Sequence, residues 1–148
     1  MAVIRRMAED DLDRVLELEH AIFPNPWRRS FFRADIGRQL GLCIVADDGG
    51  QVVGYAVAWG TDEVHLANFA VAPEARRGGV GRTLMAEVLR YAASVGAASV
   101  YLEVRVSNAA ARSFYAAHGF VPTFTRKGYY ENGEDALIME RDVERAQQ

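Results

Sequence analysis

The sequence holds one cysteine, Cys43, and one lysine, Lys127, among its 148 residues. A lone thiol excludes an intrachain disulfide framework and a cysteine-only metal site. The three histidines, His20, His65 and His118, stand far apart with no HExxH-type spacing, so no metal is expected. Prolines number four, and no stretch rich in serine, glycine and proline interrupts the chain, which excludes extended disorder. No apolar run approaches the roughly 20 residues that a membrane span requires. The start, Met1-Ala2-Val3-Ile4-Arg5-Arg6, lacks the apolar core of a signal peptide. Positive charge is not in excess: 17 Lys plus Arg face 20 Asp plus Glu, a net −3. That balance argues against direct nucleic-acid binding. These absences predict a cytoplasmic protein with no membrane association.

What remains suits one globular domain over residues 1–148, expected to be a monomer. Half of the residues are hydrophobic, enough for a real core at this length. Sixteen of the 17 basic residues are arginine and 23 residues are alanine, biases that a GC-rich genome would produce by codon usage alone.

The order of elements can be read from periodicity. Ala2–Arg6 is strand-like. Asp10–Ile22 repeats Leu12, Val15, Leu16, Glu19 and Ile22 at three and four, with acids in the first turn, which predicts a helix. Phe23-Pro24-Asn25-Pro26-Trp27 breaks it. Ser30 is the expected cap of a second helix through Arg38. Gly41–Ala46 and Gln51–Trp59 read as a hairpin across Asp47-Asp48-Gly49-Gly50. Glu63–Val71 is a further strand. Gly79–Val95 is the clearest helix, with Val80, Leu84, Met85, Val88, Leu89 and Ala92 on one face and Gly96 at its end. Ser99–Val106 is a strand, and Asn108–His118 a helix capped by Asn108. Phe120–Arg126 and Asp135–Val143 complete the series as strands around a polar loop. The pattern predicts an α/β (α+β) fold: seven strands, mostly antiparallel, and four helices, with one parallel right-handed crossover over residues 63–106.

The turn Arg76-Arg77-Gly78-Gly79-Val80-Gly81 lies between a strand and the best helix. Helix N-termini leave backbone N–H groups unpaired and carry partial positive charge. Glycines there let an anion approach the backbone, and Arg76, Arg77 and Arg82 add full charges. The assembly suits a pyrophosphate. A Walker loop fails for want of a lysine. A dinucleotide GxGxxG matches at Gly79 and Gly81 but meets Leu84 at the third glycine, with Glu103 near the distance of a ribose-binding acid; this stays a minor alternative.

The same segment resembles the [Q/R]xxGx[G/A] acyl-CoA signature of the GNAT acetyltransferases, with Val71-Ala72-Pro73-Glu74 before it also typical. Ser107-Asn108-Ala109-Ala110-Ala111 and Phe114-Tyr115-Ala116-Ala117-His118-Gly119-Phe120 resemble that family's SNxxAxxxYxxxGF motif. The resemblance implies a GNAT fold, with a twisted sheet that splays at the central parallel pair, and acetyl-CoA as cosubstrate. It implies that Arg76, Arg77, Gly78, Gly79, Val80, Gly81 and Arg82 hold the CoA pyrophosphate. It further implies that the backbone of Phe69, Ala70 and Val71, at a strand bulge, binds pantetheine and the acetyl carbonyl, and that Asn108 touches the cofactor. Tyr115 would sit at the CoA sulfur as general acid.

Within the family the likeness is strongest to the enzymes that acetylate the N-terminal alanine of ribosomal proteins. It is carried by Asn25-Pro26-Trp27, Leu102-Glu103-Val104-Arg105, Gly128-Tyr129-Tyr130 and Gly133-Glu134-Asp135-Ala136 with Met139. It implies Glu103 as general base and a peptide site bordered by Phe23, Pro24 and Trp27 and by Tyr129 and Tyr130. On strand pattern alone, the favoured reading pairs Glu103 with Arg105 or with a neighbouring strand's arginine on a solvated face. The chemistry favours catalysis: an α-amine, with a reference pKa of roughly 7.7–8.0, is mostly protonated at neutral pH and must lose a proton to attack. The expected partner is a peptide N-terminus, a ribosomal protein's among them. Acetylation of lysine side chains or small amines, and a non-catalytic CoA-binding module, are the alternatives.

Overall fold

A computed structural model describes residues 2–144. The chain forms two compact units. The first runs to Trp59 and resumes over Leu66–Tyr91. It contains β1 (Val3–Arg6), α1 (Leu12–Ile22), α2 (Arg29–Ile36), β2 (Gly41–Asp48), β3 (Gln51–Trp59), most of β4 (Glu63–Val71) and most of α3 (Val80–Ser94). The second takes Gly60–His65 and the chain from Ala92 onward. It holds the start of β4, the end of α3, β5 (Ser99–Arg105), α4 (Ala109–Ala117), β6 (Val121–Arg126) and β7 (Ala136–Asp142).

The seven strands follow the hydrogen-bonded order β1-β2-β3-β4-β5-β7-β6. Neighbours β1/β2, β2/β3, β5/β7 and β7/β6 are antiparallel. β4 and β5 are parallel, with Glu63, Val64 and His65 opposite Ser99, Val100 and Tyr101. Among the described residues this is the mixed, mostly antiparallel sheet with four α-helices that the sequence pattern predicts.

In the first unit, α1 buries Leu12, Val15, Leu18 and Glu19. Leu18 takes the place expected for Leu16, which is half-buried; an apolar stripe wide enough to reach either residue leaves the choice to packing. Asp11 secures the helix entrance. Its carboxylate accepts the Ala8 N–H at 2.7 Å and both terminal nitrogens of Arg5 at 2.8 and 2.9 Å. α2 starts at Arg29 behind an extended Arg28, with no side-chain cap. Ser30, expected as the cap, lies inside the first turn, because the turn closes one residue earlier through Phe31 N–H to Arg28 C=O at 3.0 Å.

Gly96 ends α3 as predicted, with φ +75°. The Ala97 N–H bonds back to Ala92 and the Gly96 N–H to Ala93, at 3.0 and 3.1 Å, the paired bonds of a Schellman stop. Gly54, in the middle of β3, is a second position where only glycine fits. A Cβ there would stand 2.9 Å from the Ala70 carbonyl oxygen, 3.0 Å from Leu84 Cδ1 and 3.2 Å from Val80 Cγ1. The start of α3 therefore packs its Val80 and Leu84 side chains directly against the backbone of β3 at Gly54. Leu84, Met85 and Val88 are fully buried behind it, along with Tyr55, Val57 and Phe32.

In the second unit, Val100, Leu102 and Val104 face inward, and Tyr101, Glu103 and Arg105 are half-exposed. Val106, expected on the inward face, is exposed because β5 ends at Arg105. The Asn108 side chain caps α4 by accepting the Ala111 N–H at 3.1 Å, as its side-chain chemistry predicts.

Candidate active site

In the first unit the turn before α3 has the backbone of an anion site. Arg77 adopts φ +71° and Gly79 φ +86°. Residues that alternate into the left-handed region direct successive N–H groups to one side. The first intrahelical bond is Thr83 N–H to Gly79 C=O at 3.0 Å, reinforced by Thr83 Oγ1 at 2.9 Å. The N–H groups of Val80, Gly81 and Arg82 precede it, and so have no helical acceptor. The Gly78 N–H turns back to Ala75 C=O at 3.4 Å. Arg76 folds its Nε onto Val71 C=O at 3.2 Å, and Arg76, Arg77 and Arg82 are all exposed. The expected anion-binding elements are thus brought together. An arginine at positive φ is unusual and costs about 1 kcal/mol.

β4 alternates strictly along its length. Val64, Leu66, Asn68 and Ala70 are buried, whereas His65, Ala67, Phe69 and Val71 are half-exposed. Of the three residues expected to bind the acyl chain, Phe69 and Val71 share the accessible face. In the connection between α1 and α2, Trp27 is half-buried, 5.2 Å from Phe32 and stacked 6.3 Å from Trp59. Phe32 is core, and Phe31 is 52% exposed. Phe23 is half-buried and Pro24 exposed.

In the second unit, Glu103 does not pair with Arg105. Its Oε2 lies 2.7 Å from His65 Nε2, with both side chains about four-fifths buried (18% and 20% exposed). The His65 ring stacks on Tyr101 at 4.7 Å and 6°. Parallel pairing of His65 with Tyr101 creates this arrangement: one residue along β5 from Tyr101 points inward, and the next is Glu103. His65 is absent from the site that the sequence suggests. Its signal was the alternation that puts it on the face of β4 opposite Val64 and Leu66.

Arg105 is engaged elsewhere. Its guanidinium stacks 3.9 Å from the centre of the Tyr130 ring, and Nη1 donates to Glu134 Oε1 at 3.1 Å and to Asn132 Oδ1 at 3.3 Å. Glu134 Oε2 also accepts the Ser107 N–H at 2.8 Å. Those contacts hold its carboxyl below the usual range, the Ser107 bond first and Arg105 after it. The loop between β6 and β7 is therefore clamped to the end of β5. Tyr130 is half-buried, its hydroxyl pushed up to about 12, chiefly by burial. Tyr129 is 47% exposed and edge-on to Tyr130 at 5.1 Å.

Tyr115, on α4, is packed edge-on between Phe114 and Phe120 at 5.5 and 5.8 Å. Burial, with a smaller contribution from Tyr130, raises its hydroxyl well above the ordinary tyrosine value. It is thus held protonated across the physiological range. Asn108 is exposed, and its cap uses the side-chain oxygen; the amide NH2 is left for a ligand. Cys43 lies on β2 with its Sγ 3.7 Å from Met7 Sδ, and burial pushes its thiol up to about 12, which suits no nucleophile. Among the described residues, no cluster of three or more His, Cys, Asp or Glu could hold a metal, and no helix is long and apolar enough to cross a membrane.

The chain is similar to known proteins over most of its length. The acetyltransferase (GNAT) family pattern matches residues 12–120. The ribosomal protein bS18-alanine N-acetyltransferase of Salmonella typhimurium is 34% identical over 144 residues, covering 94% of this chain and 96% of that one. The crystal structure of the ribosomal-protein-S18-alanine N-acetyltransferase from Escherichia coli superposes with a TM-score of 0.87 at 31% identity, covering 100% of this chain and 97% of the other. The fold is shared by Arabidopsis thaliana NAA60, solved in complex with acetyl-CoA, at a TM-score of 0.88 and 19% identity, over 97% of this chain and all of that one.

Proposed function

The chain belongs to the GNAT family and is an N-acetyltransferase, and from that premise we propose that it is a RimI-type enzyme. It transfers an acetyl group from acetyl-CoA to the N-terminal α-amine of a protein, an alanine-start ribosomal protein among its substrates. The whole chain, 1–148, acts as one catalytic domain, a cytoplasmic monomer whose partner is the peptide N-terminus. The observation that carries this reading is the Glu103 carboxylate, held 2.7 Å from His65 at the parallel pair. Near-full-length likeness to the bS18-alanine enzymes supports the choice of acceptor.

The residues fit a CoA thioester. The unpaired N–H groups at the start of α3, with Arg76, Arg77 and Arg82, would take the pyrophosphate, and Phe69–Val71 would line the acyl chain. The thioester supplies the activated acetyl group. Glu103, fixed by His65, accepts the proton that the amine gives up as its nitrogen bonds to the acetyl carbon. The carbon–sulfur bond breaks, and Tyr115 O–H donates its proton to the departing sulfur. Backbone N–H groups of β4 would polarise the carbonyl as charge develops on its oxygen. Tyr129 and the clamped Tyr130 would border the peptide, as would Phe23, Pro24 and Trp27.

The test is mass-spectrometric analysis of N-terminal peptides incubated with acetyl-CoA, among them an alanine-start ribosomal sequence carrying internal lysines. Acetylation of the alanine α-amine with untouched lysines is expected. Label on lysine side chains or on small amines alone would overturn the reading.

A further inference from the structure

Glu19 lies in the last full turn of α1 and is 1% exposed. Its carboxylate has three donors from three different places. The Trp27 N–H reaches Oε2 at 2.9 Å, while Tyr55 O–H and Asn68 Nδ2 reach Oε1 at 2.6 and 3.0 Å. Its main-chain carbonyl also accepts the Phe23 N–H at 3.0 Å. The connection Phe23-Pro24-Asn25-Pro26-Trp27 contains two prolines, which have no N–H to give. Glu19 alone thus takes the first and the last of the remaining N–H groups of this segment. Burying a carboxylate is costly, and an apolar residue of the same size would fill the space without that cost. The contacts made are specific: one end fixes the connection, and the other fixes the side chain immediately before Phe69 on β4.

We propose that Glu19 is the positioning residue of the acceptor site. It sets the shape of the α1–α2 connection and registers it against the strand that carries the acyl group. This rests on the reading of Phe23, Pro24 and Trp27 as a wall of the peptide groove. The turn proposed to hold the pyrophosphate makes none of these bonds, so the acceptor side is expected to respond to Glu19 far more than the cosubstrate side.

The test compares Glu19→Gln with Tyr55→Phe in the full chain. Glutamine keeps the size but replaces one acceptor oxygen with an NH2 that cannot accept from Trp27 or from the Tyr55–Asn68 pair. Tyr55→Phe removes a donor from the same buried network and leaves the connection tied. Steady-state kinetics are measured for an alanine-start peptide and for acetyl-CoA, with hydrogen exchange at the Trp27 amide and thermal melting. For Glu19→Gln, the peptide KM is expected to rise at least tenfold, acetyl-CoA KM to stay within twofold, and exchange at Trp27 to accelerate. Tyr55→Phe should leave the peptide KM within about twofold, even where it lowers the melting temperature. An unchanged peptide KM in Glu19→Gln overturns the proposal. So does an equal rise in both KM values, or an equal peptide KM rise in Tyr55→Phe, since either would reflect general loosening of the core. If the unaltered enzyme acetylates no peptide, the proposed function fails by itself. Positioning is then judged on exchange alone: acceleration confined to the connection supports it, and unaltered exchange at Trp27 overturns it.

Discussion

Glu103→Gln removes the proposed base and leaves its volume. A positioned general base contributes about 10²–10⁴-fold, so kcat/KM for an alanine-start peptide should fall by that order at pH 7. The loss should shrink as pH rises. With a peptide amine pKa of about 8, the neutral fraction is roughly one-tenth at pH 7 and nearly complete at pH 9.5. A variant that must await spontaneous deprotonation therefore recovers about tenfold over that interval. His65→Ala tests the other half of the pair. A hydrogen bond to a charged group is worth about 1.5–3 kcal/mol. Full loss of the 2.7 Å contact thus corresponds to roughly a 10- to 150-fold fall, less than that from Glu103→Gln. Because the two side chains act as one unit, the double variant should be no worse than Glu103→Gln alone. Initial rates over pH 6.5–9.5, at saturating acetyl-CoA, read all three variants. A loss from Glu103→Gln that is uniform across pH, or single effects that multiply in the double variant, would refute the assignment of this pair as the proton acceptor.

Two further predictions concern other parts of the chain. Arg77→Gly should separate stability from binding: relief of the left-handed arginine at φ +71° stabilises by up to about 1 kcal/mol, while loss of its charge raises acetyl-CoA KM; urea melts and kinetics check both signs. Asp11→Asn should destabilise by about 1–2 kcal/mol at pH 7, since its hydrogen bonds to a charged partner that is partly exposed are lost. Asp11 has its carboxyl lowered by Arg5 first and the Ala8 N–H further on. Its stabilisation is therefore complete above the unfolded carboxylate value near 4 and lost as pH falls through the lowered one. Melts of the two forms should converge at the acid end, and a constant difference down to pH 2 would contradict the linkage.

Much of the fold was legible because its signals are local. Asn108 caps α4 through its own side chain, and Gly96 stops α3 through its own φ. Strand alternation placed Glu103 opposite Leu102 and Val104. What alternation cannot supply is which residue of another strand stands beside it. Glu103 had two arginine partners in prospect and took His65, thirty-eight positions away, because parallel register is decided by tertiary packing rather than by either strand's own pattern. Glu19 shows the same limit. Its place in the apolar repeat of α1 marked it as inward-facing, but its three donors come from a loop and two strands. Ser30 had the right chemistry for a cap and the wrong position, because the preceding prolines and the Arg28–Phe31 turn fixed where the helix begins.

The missing side chain at Gly54 bears on how the enzyme tolerates change. Nothing but van der Waals distance separates that Cα from the first turn of α3, so the height of the helix start above the strands is set by an atom that is not there. A methyl group at 54 would meet a backbone carbonyl, which cannot rotate aside, and two side chains rooted in the helix itself. The relief open to the molecule is to lift the helix end, and with it the turn at Arg77–Gly81. A substitution in the hydrophobic interior of β3 would then be felt at the turn proposed to hold the pyrophosphate. Residue 54 is a shim of zero thickness, and whatever replaces it is felt at the start of α3 as well as in the core.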